Sequence, residues 1–295
     1  MSTNTTTIPA DENQYGYNPS EAIGILFIVL FGISTTLHVA QATYYKMWWL
    51  FPTACLCGVG ELVGWSGRLW SSFNPFLSDP FMMQITTTII SPTPLIAVNF
   101  ILLSRIVERL GLRYSFISAR WYSIVFVSCD IVALVIQGAG GGLAASADTV
   151  SGSALGANIM LGGIVFQFVA IIAYTTCGVE FLRRYMHDLP THGQAALGSR
   201  KSPLTPRMRL LIGALAFSTL VLFIRSVYRI IELSGGWTGR VIQTQVYFLV
   251  LDGGMVTLAI YTMNIFHPGR LLGSPSENLD EVSEKRAGSS ESRIP

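Results

Sequence analysis

The chain has 295 residues, 51% of them hydrophobic and only 12% charged, with a mean hydropathy of +0.49. Soluble domains carry about 25% charged residues, so too little polar side chain is present to cover a water-exposed surface, and an ordinary soluble globule is excluded. The net charge of +2 points to no polyanionic partner, and no nucleic-acid contact is expected; the placement of the charges is what informs.

Residues 1–20 are polar, carry no Lys or Arg and lack the apolar core of a cleaved signal. They are read as a short segment outside the membrane, so the first hydrophobic run is expected to direct insertion. The sequon Asn4-Thr5-Thr6 makes Asn4 a glycosylation candidate there. About 20 apolar residues are needed to cross the hydrocarbon, and seven stretches qualify: 21–41, 49–70, 80–103, 121–138, 156–177, 210–233 and 242–266. Trp48, Trp49, Trp70, Trp121 and Trp237 fall where an interfacial belt would lie. The fold class is therefore an all-α membrane protein, a bundle of seven transmembrane helices spanning 21–266.

Lys and Arg set the orientation. The segments 42–48, 104–120 and 183–209 and the C-terminal tail would share one side, and they hold 15 of the 19 basic residues, against Arg240 alone on the other. The N-terminus is thus expected outside and the C-terminus in the cytosol. The 187–206 stretch, with Pro190, Pro203 and Pro206, reads as a flexible connector, and 267–295 as a disordered cytosolic tail. Span two carries Gly60, Gly64 and Gly67, small residues that allow close helix approach. Ser91-Pro92-Thr93-Pro94 should break or kink span three, because proline lacks the backbone donor. Gln137-Gly138-Ala139-Gly140-Gly141-Gly142 reads as the end of span four passing into a flexible outer loop.

A charge at a helix centre costs about 3 kcal/mol on insertion scales. Seven lie within spans: Glu61, Arg68, Asp130, Arg225, Arg229, Glu232 and Asp252. Facing lipid they would cost roughly 20 kcal/mol together, more than a typical folding stability, so they must point inward and pair. Glu61 and Arg68, Asp130 and Gln137, and Gln245 and Asp252 are each seven residues apart and share a helix face. Arg225, Arg229 and Glu232 make a similar stripe. The topology puts Glu61 and Asp130 near the midplane and the others, with Gln84, in the outer half, the pattern of a cavity opening to the exoplasmic leaflet.

Taken together, these stretches resemble the fungal lipid-translocating exporter family, also called the RTA-like or aminocholesterol-resistance family. The resemblance rests on Tyr17-Asn18-Pro19-Ser20, Glu61 through Arg68, Gln84 with Pro92 and Arg105-Ile106, Asp130 through Gln137, Arg225 through Glu232, and Tyr247, Asp252 and His267-Pro268-Gly269-Arg270. It runs over roughly residues 15–272. It implies seven spans and the export or flipping of amphipaths, with sphingoid long-chain bases and sterol-like or toxic amphipaths as associated substrates and a porphyrin-related role in one branch. The family often has an acid where this chain has Gln245.

The expected function is therefore a transporter or floppase of amphipathic lipids that gives resistance to them. The substrate-binding candidates are Glu61, Arg68, Asp130, Gln137, Arg225, Tyr228, Arg229, Glu232, Tyr247 and Asp252. The alternative is a seven-helix receptor that senses an amphipathic ligand and signals to a cytosolic partner of unknown kind. No enzyme activity, metal or cofactor is expected. His38, His187, His192 and His267 lie at or near the cytosolic side, the glycine run lacks a phosphate-binding lysine, and Lys46, Lys201 and Lys285 all lie outside the spans. Partners are membrane lipids and an amphipathic small molecule. The expected location is the plasma membrane, with an internal membrane as the alternative.

Overall fold

The apolar runs form helices whose ends are set by recognisable local chemistry. The computed structural model describes residues 13, 15–191, 203–236 and 239–272. Asn4, Trp237, the 192–202 part of the proline-bearing connector and the tail from 273 lie outside them. Helix α1 is Glu21–Tyr44, with the acid of Glu21 in its first turn, where the helix dipole favours negative charge. A 3₁₀ turn, Trp48–Leu50, and a π turn, Phe51–Cys55, lead into α2, Leu56–Phe73. Helices α3, Ser78–Ile90, and α4, Pro92–Leu110, meet at Ser91. Helix α5 is Ala119–Ala145 and α6 is Val150–Met186, whose first turn is capped by the Thr149 hydroxyl accepting from Gly152 N–H at 3.2 Å. Helix α7, Pro206–Ser234, begins the same way, with Thr205 accepting from Met208 N–H and Pro206 in the first turn. The last stretch is α8, Gln245–Phe248, a π turn Leu249–Gly254, α9, Met255–Ile265, and α10, Pro268–Leu272.

Six of these helical stretches are long and apolar enough to cross a membrane: α1, α3 with α4, α5, α6, α7 and 245–272. Of the seven expected spans, α2 falls short of that standard. It has 18 residues and is diluted by Glu61, Arg68 and four glycines. The molecule is apolar outside and polar within. Leu26, Ile33, Val135 and Val169 are exposed, whereas Arg68 and Arg229 rank with Trp65 among the largest fully buried side chains.

Two expectations change. The glycine run is not a loop: α5 continues through it to Ala145, and α6 starts at Val150 rather than 156. The glycines are needed for contact. A Cβ on Gly140 would sit 2.6 Å from Met160 N and 2.7 Å from Gly156 O, and one on Gly156 would sit 2.5 Å from Ala144 N. Backbone therefore meets backbone between α5 and α6, which the helical hydrogen bonds make possible without exposing polar groups. As expected, the proline segment interrupts the helix: Ser91 still donates to Thr87 O at 2.8 Å and keeps helical backbone angles, and the ladder lacks its donor at Pro92. The first residues assigned to the tail are ordered instead: Pro268–Leu272 is a helical turn with Pro268 and Leu272 buried. The small-residue face of α2 packs closely on α3 as expected. A Cβ on Gly64 would lie 2.6 Å from the Thr88 methyl, and one on Gly60 would lie 2.2 Å from the Ser91 hydroxyl.

Candidate functional site

Two groups of buried polar side chains flank the break at Ser91. The first is a column that starts at the N-terminal segment. Arg68 of α2 donates to the Tyr17 hydroxyl at 2.9 Å and to Gln84 Oε1 of α3 at 3.3 Å. Tyr15 also donates to Gln84 Oε1, at 2.8 Å, and lies 3.0 Å from the Ser71 hydroxyl. Burial pushes the Tyr15 phenol up to about 12, so it remains a donor at neutral pH. Among the described residues, Arg68 has no carboxylate partner. Its guanidinium instead sits among the rings of Tyr15, Tyr17, Trp65 and Phe248, at 4.8 to 5.9 Å from their centroids.

One helical turn deeper on α3 is Thr88. Its hydroxyl accepts from Arg229 at 2.8 Å. Arg229 holds Asp252 with two hydrogen bonds, at 2.8 and 2.6 Å, and donates to Glu232 at 2.6 Å. Tyr228 donates to the other oxygen of Glu232 at 2.7 Å. Arg225 Nε lies 2.8 Å from Asp252 Oδ1 without hydrogen-bond alignment. Two guanidinium groups and two carboxylates thus form one neutral, fully buried set, the condition under which charges survive in a low-dielectric interior.

Local sequence explains why these groups meet. Pro92 cannot donate to the carbonyl four residues back, so Thr88 O lacks its usual helical partner. Arg225 supplies one, donating to Thr88 O at 2.6 Å and to Ile89 O at 3.3 Å. Asp252 sits in the π turn 249–254, a widened turn that re-aims side chains and recurs at functional sites. Gly253 in that turn lets Trp65 come close, since a Cβ there would be 2.5 Å from the indole. Trp65 in turn stacks on Phe27 at 3.9 Å and donates to Glu61 Oε2 at 3.2 Å.

The second group is acidic and uncharged on its other members. Gln167 of α6 donates to Asp130 Oδ1 at 3.2 Å and accepts from Gln137 at 3.0 Å and from Thr93 at 3.4 Å. Asp130 Oδ2, Gln137 Oε1 and Glu61 Oε1 have no hydrogen-bond partner. Neither Asp130 nor Glu61 makes a salt bridge among the described residues.

The structure brings nine of the ten candidates into these two groups or, for Glu61, beside them. Tyr247 is the exception: it is 45% exposed, and it lies five residues from Asp252, roughly 140° round a regular helix. The other nine are all buried, so none of them faces open solvent in this structure. Sequence reasoning missed Tyr15, Trp65, Thr88 and Gln167. Gln167 carried a signal, as an amide in the middle of the apolar stretch 159–173 of α6. Among the described residues, no group of His, Cys, Asp and Glu is arranged to hold a metal ion.

Residues 54–275 match the family model described as RTA1 like protein. The chain belongs to the RTA1-like family. The match runs from the entry to α2 past α10, so it includes both polar groups but not α1 or the Tyr15–Tyr17 segment. Among relatives, the sphingoid long-chain base transporter RSB1 of Saccharomyces cerevisiae is 30% identical over 280 residues, 86% of this chain and 73% of the relative. The probable lipid transporter atnI of Emericella nidulans is 25% identical, over 92% of this chain and 72% of its own. Protoporphyrin uptake protein 1 of Saccharomyces cerevisiae is 26% identical, over 85% and 90%. No solved structure matches. Together with the six long apolar helices, these relatives make this RTA1-like chain an integral membrane protein, and none of the three is named as an enzyme.

Proposed function

We propose that this chain is a membrane transporter, an exporter or floppase, of amphipathic lipids with a cationic head, a class that includes sphingoid long-chain bases. The observation that carries this reading is the buried carboxyl of Asp130, which among the described residues has no cation beside it and keeps an oxygen that no protein group engages; Glu61 also keeps an oxygen unengaged but lies close to Arg225 and Arg229. Buried polar groups are ordinarily satisfied, and an ammonium head would supply both the charge and the donor that Asp130 lacks. An apolar cleft of about 440 Å³ between α4, α6 and α7 reaches the exposed side chains of Val179 and Leu220 and would take the tail. Tyr174 in that cleft is seven residues from Gln167, so on the same face of α6 and about 10 Å along it.

In this reading α2 is a seventh span, its polar face covered by neighbouring helices, and the N-terminus lies outside. The basic residues support that orientation, with 15 of 19 in the sequence segments that this topology puts on the cytosolic side. Tyr15 and Tyr17 then close the outer end of the column, and release outward requires them to move. Residues 21–266 form the transporting unit, and the plasma membrane is the assigned location, where export would give resistance. The relatives' names favour transport over the receptor alternative.

Cells with and without the chain, loaded with a fluorescent long-chain base, test the proposal. Faster loss of the base from expressing cells is expected, and Asp130→Asn should remove the difference at equal surface expression. Equal export with and without the chain would overturn the reading for this substrate class.

A further inference from the structure

A large cavity lies apart from the residues of both polar groups. It lies at the basic end, holds about 950 Å³, and is walled by the turn after α1, by α4, by the start of α5 and by α10. Among the described residues, four cations line it, Lys46, Arg105, Arg109 and Arg120, with one acid, Glu108. The cations come from three separate elements and converge on one space. The Arg105 guanidinium is held 5.1 Å from the centroid of the Trp49 ring, while Arg109 donates to the carbonyl of Leu272. Lys46 occupies a left-handed backbone position, φ 55°, that a lysine seldom adopts. Among the described residues, Lys46, Arg105 and Arg120 form no salt bridge.

The remaining wall is mostly apolar, with Ser104 and Ser123 among its hydroxyl-bearing members. Ile101 and Ile124 line the cavity, and the exposed Trp48 and Trp121 stand beside Trp49 and Arg120 in sequence, as residues of a headgroup-level belt do. A carboxylate would meet only part of this excess of positive charge. A phosphomonoester brings close to two negative charges and three acceptor oxygens, which suits several arginine forks at once. Basic pockets between helices at this depth are the places where phosphorylated lipid heads bind.

We propose that this cavity binds a phosphomonoester group, a ligand chemically opposite to the cationic head assigned to the Asp130 side, and that it does so independently of export. The group can come from a lipid head or from free phosphate, and the test separates the two. Purified full-length protein in neutral detergent is titrated with dioctanoyl phosphatidic acid, dioctanoyl phosphatidylcholine and inorganic phosphate, and binding is read from tryptophan fluorescence and from the melting temperature.

A saturable response to phosphatidic acid but not to phosphatidylcholine is expected. Arg105→Gln and Arg120→Gln should each weaken it about tenfold, the effect of losing one charge-assisted contact. Glu108→Gln, which removes the opposing charge, should strengthen binding about threefold, a gain that misfolding cannot produce. If inorganic phosphate alone reproduces the response with the same variant pattern, the site stands and the ligand is a soluble phosphate. A response equal for phosphatidylcholine, no saturable response to either phosphate source, or affinities unchanged in all three variants would overturn the proposal.

Discussion

The two polar groups beside the Ser91 break contain similar residues and solve opposite problems. In the α7 group, each charge has a partner of opposite sign within hydrogen-bond range, and Arg225 also closes the carbonyl left open by Pro92. In the α5–α6 group, Asp130 is held by a neutral amide and keeps one oxygen unengaged. A fully paired set fixes helix positions and has no valence left for a ligand, whereas the incompletely paired acid does. Under the proposed function, this contrast would divide the buried charges into those that hold the bundle and those offered to a substrate.

Breaking the paired set should give the largest effect. Arg229→Met leaves Asp252 and Glu232 without their main partner, and removing one member of a buried pair costs about 3–5 kcal/mol. Little folded protein is expected, as judged by size-exclusion profile and thermal unfolding in detergent. Asp252→Asn should fail in the same direction, since two arginines rely on it. Its loss of export would then report on folding rather than on substrate contact. Arg229→Met unfolding at the temperature of the unaltered protein would remove the distinction between the groups.

Asp130→Asn makes the complementary case. No cation is stranded by it, so stability should change by less than about 1 kcal/mol, the scale of one neutral hydrogen bond. Export should fall at least tenfold, about 1.4 kcal/mol in the transport barrier. Normal export at normal expression would mean that Asp130 is only a helix contact. Between these extremes lies Gly156→Leu. It forces α5 and α6 apart where backbone meets backbone, and overpacking of this kind costs about 1–3 kcal/mol. Because a Cβ on Gly163 would lie only 2.8 Å from Gln137 Cγ, the second group should shift with the helices and export should fall further than stability.

The energetics of burial made much of this legible in sequence. Charges in an apolar chain must turn inward, which identified Glu61, Asp130, Arg225, Arg229, Glu232 and Asp252 before any coordinates. Spacing gives a shared face but not a partner. Glu61 and Arg68 lie seven apart on α2, yet Arg68 is taken by Gln84, Tyr17 and four aromatic rings while Glu61 meets Trp65. The glycine run was misread because its residues favour loops in water, while in a bilayer the backbone must satisfy itself and small residues become contact surface. The π turn at Asp252 leaves no mark in hydrophobic periodicity, and Tyr15 lies outside any span, so neither was visible from pattern alone.

The proline that opens the ladder offers a finer test of the paired group. Pro92→Ala returns an N–H to Thr88 O, which Arg225 now serves. Alone it should change stability by about 1 kcal/mol or less. Combined with Arg225→Met it should recover part of that variant's loss, a coupling of about 0.5–1.5 kcal/mol in a double-mutant cycle read by thermal unfolding. Additive effects would show that Arg225 acts through Asp252 alone.

Tyr17→Phe should have the smallest effect. It removes one hydrogen bond to Arg68, worth about 0.5–1.5 kcal/mol, and leaves the cation over the ring in place. If Tyr15 and Tyr17 cover the exit from the column, weakening their hold should raise the rate of outward release while barely altering the melting temperature. Tyr15→Phe, which also frees Gln84, should act more strongly in the same direction. Slower export from either variant would make the segment a brace for Arg68 rather than a cover. The contrast between holding and binding residues would then extend to the outer end of the bundle, with Arg68 on the holding side.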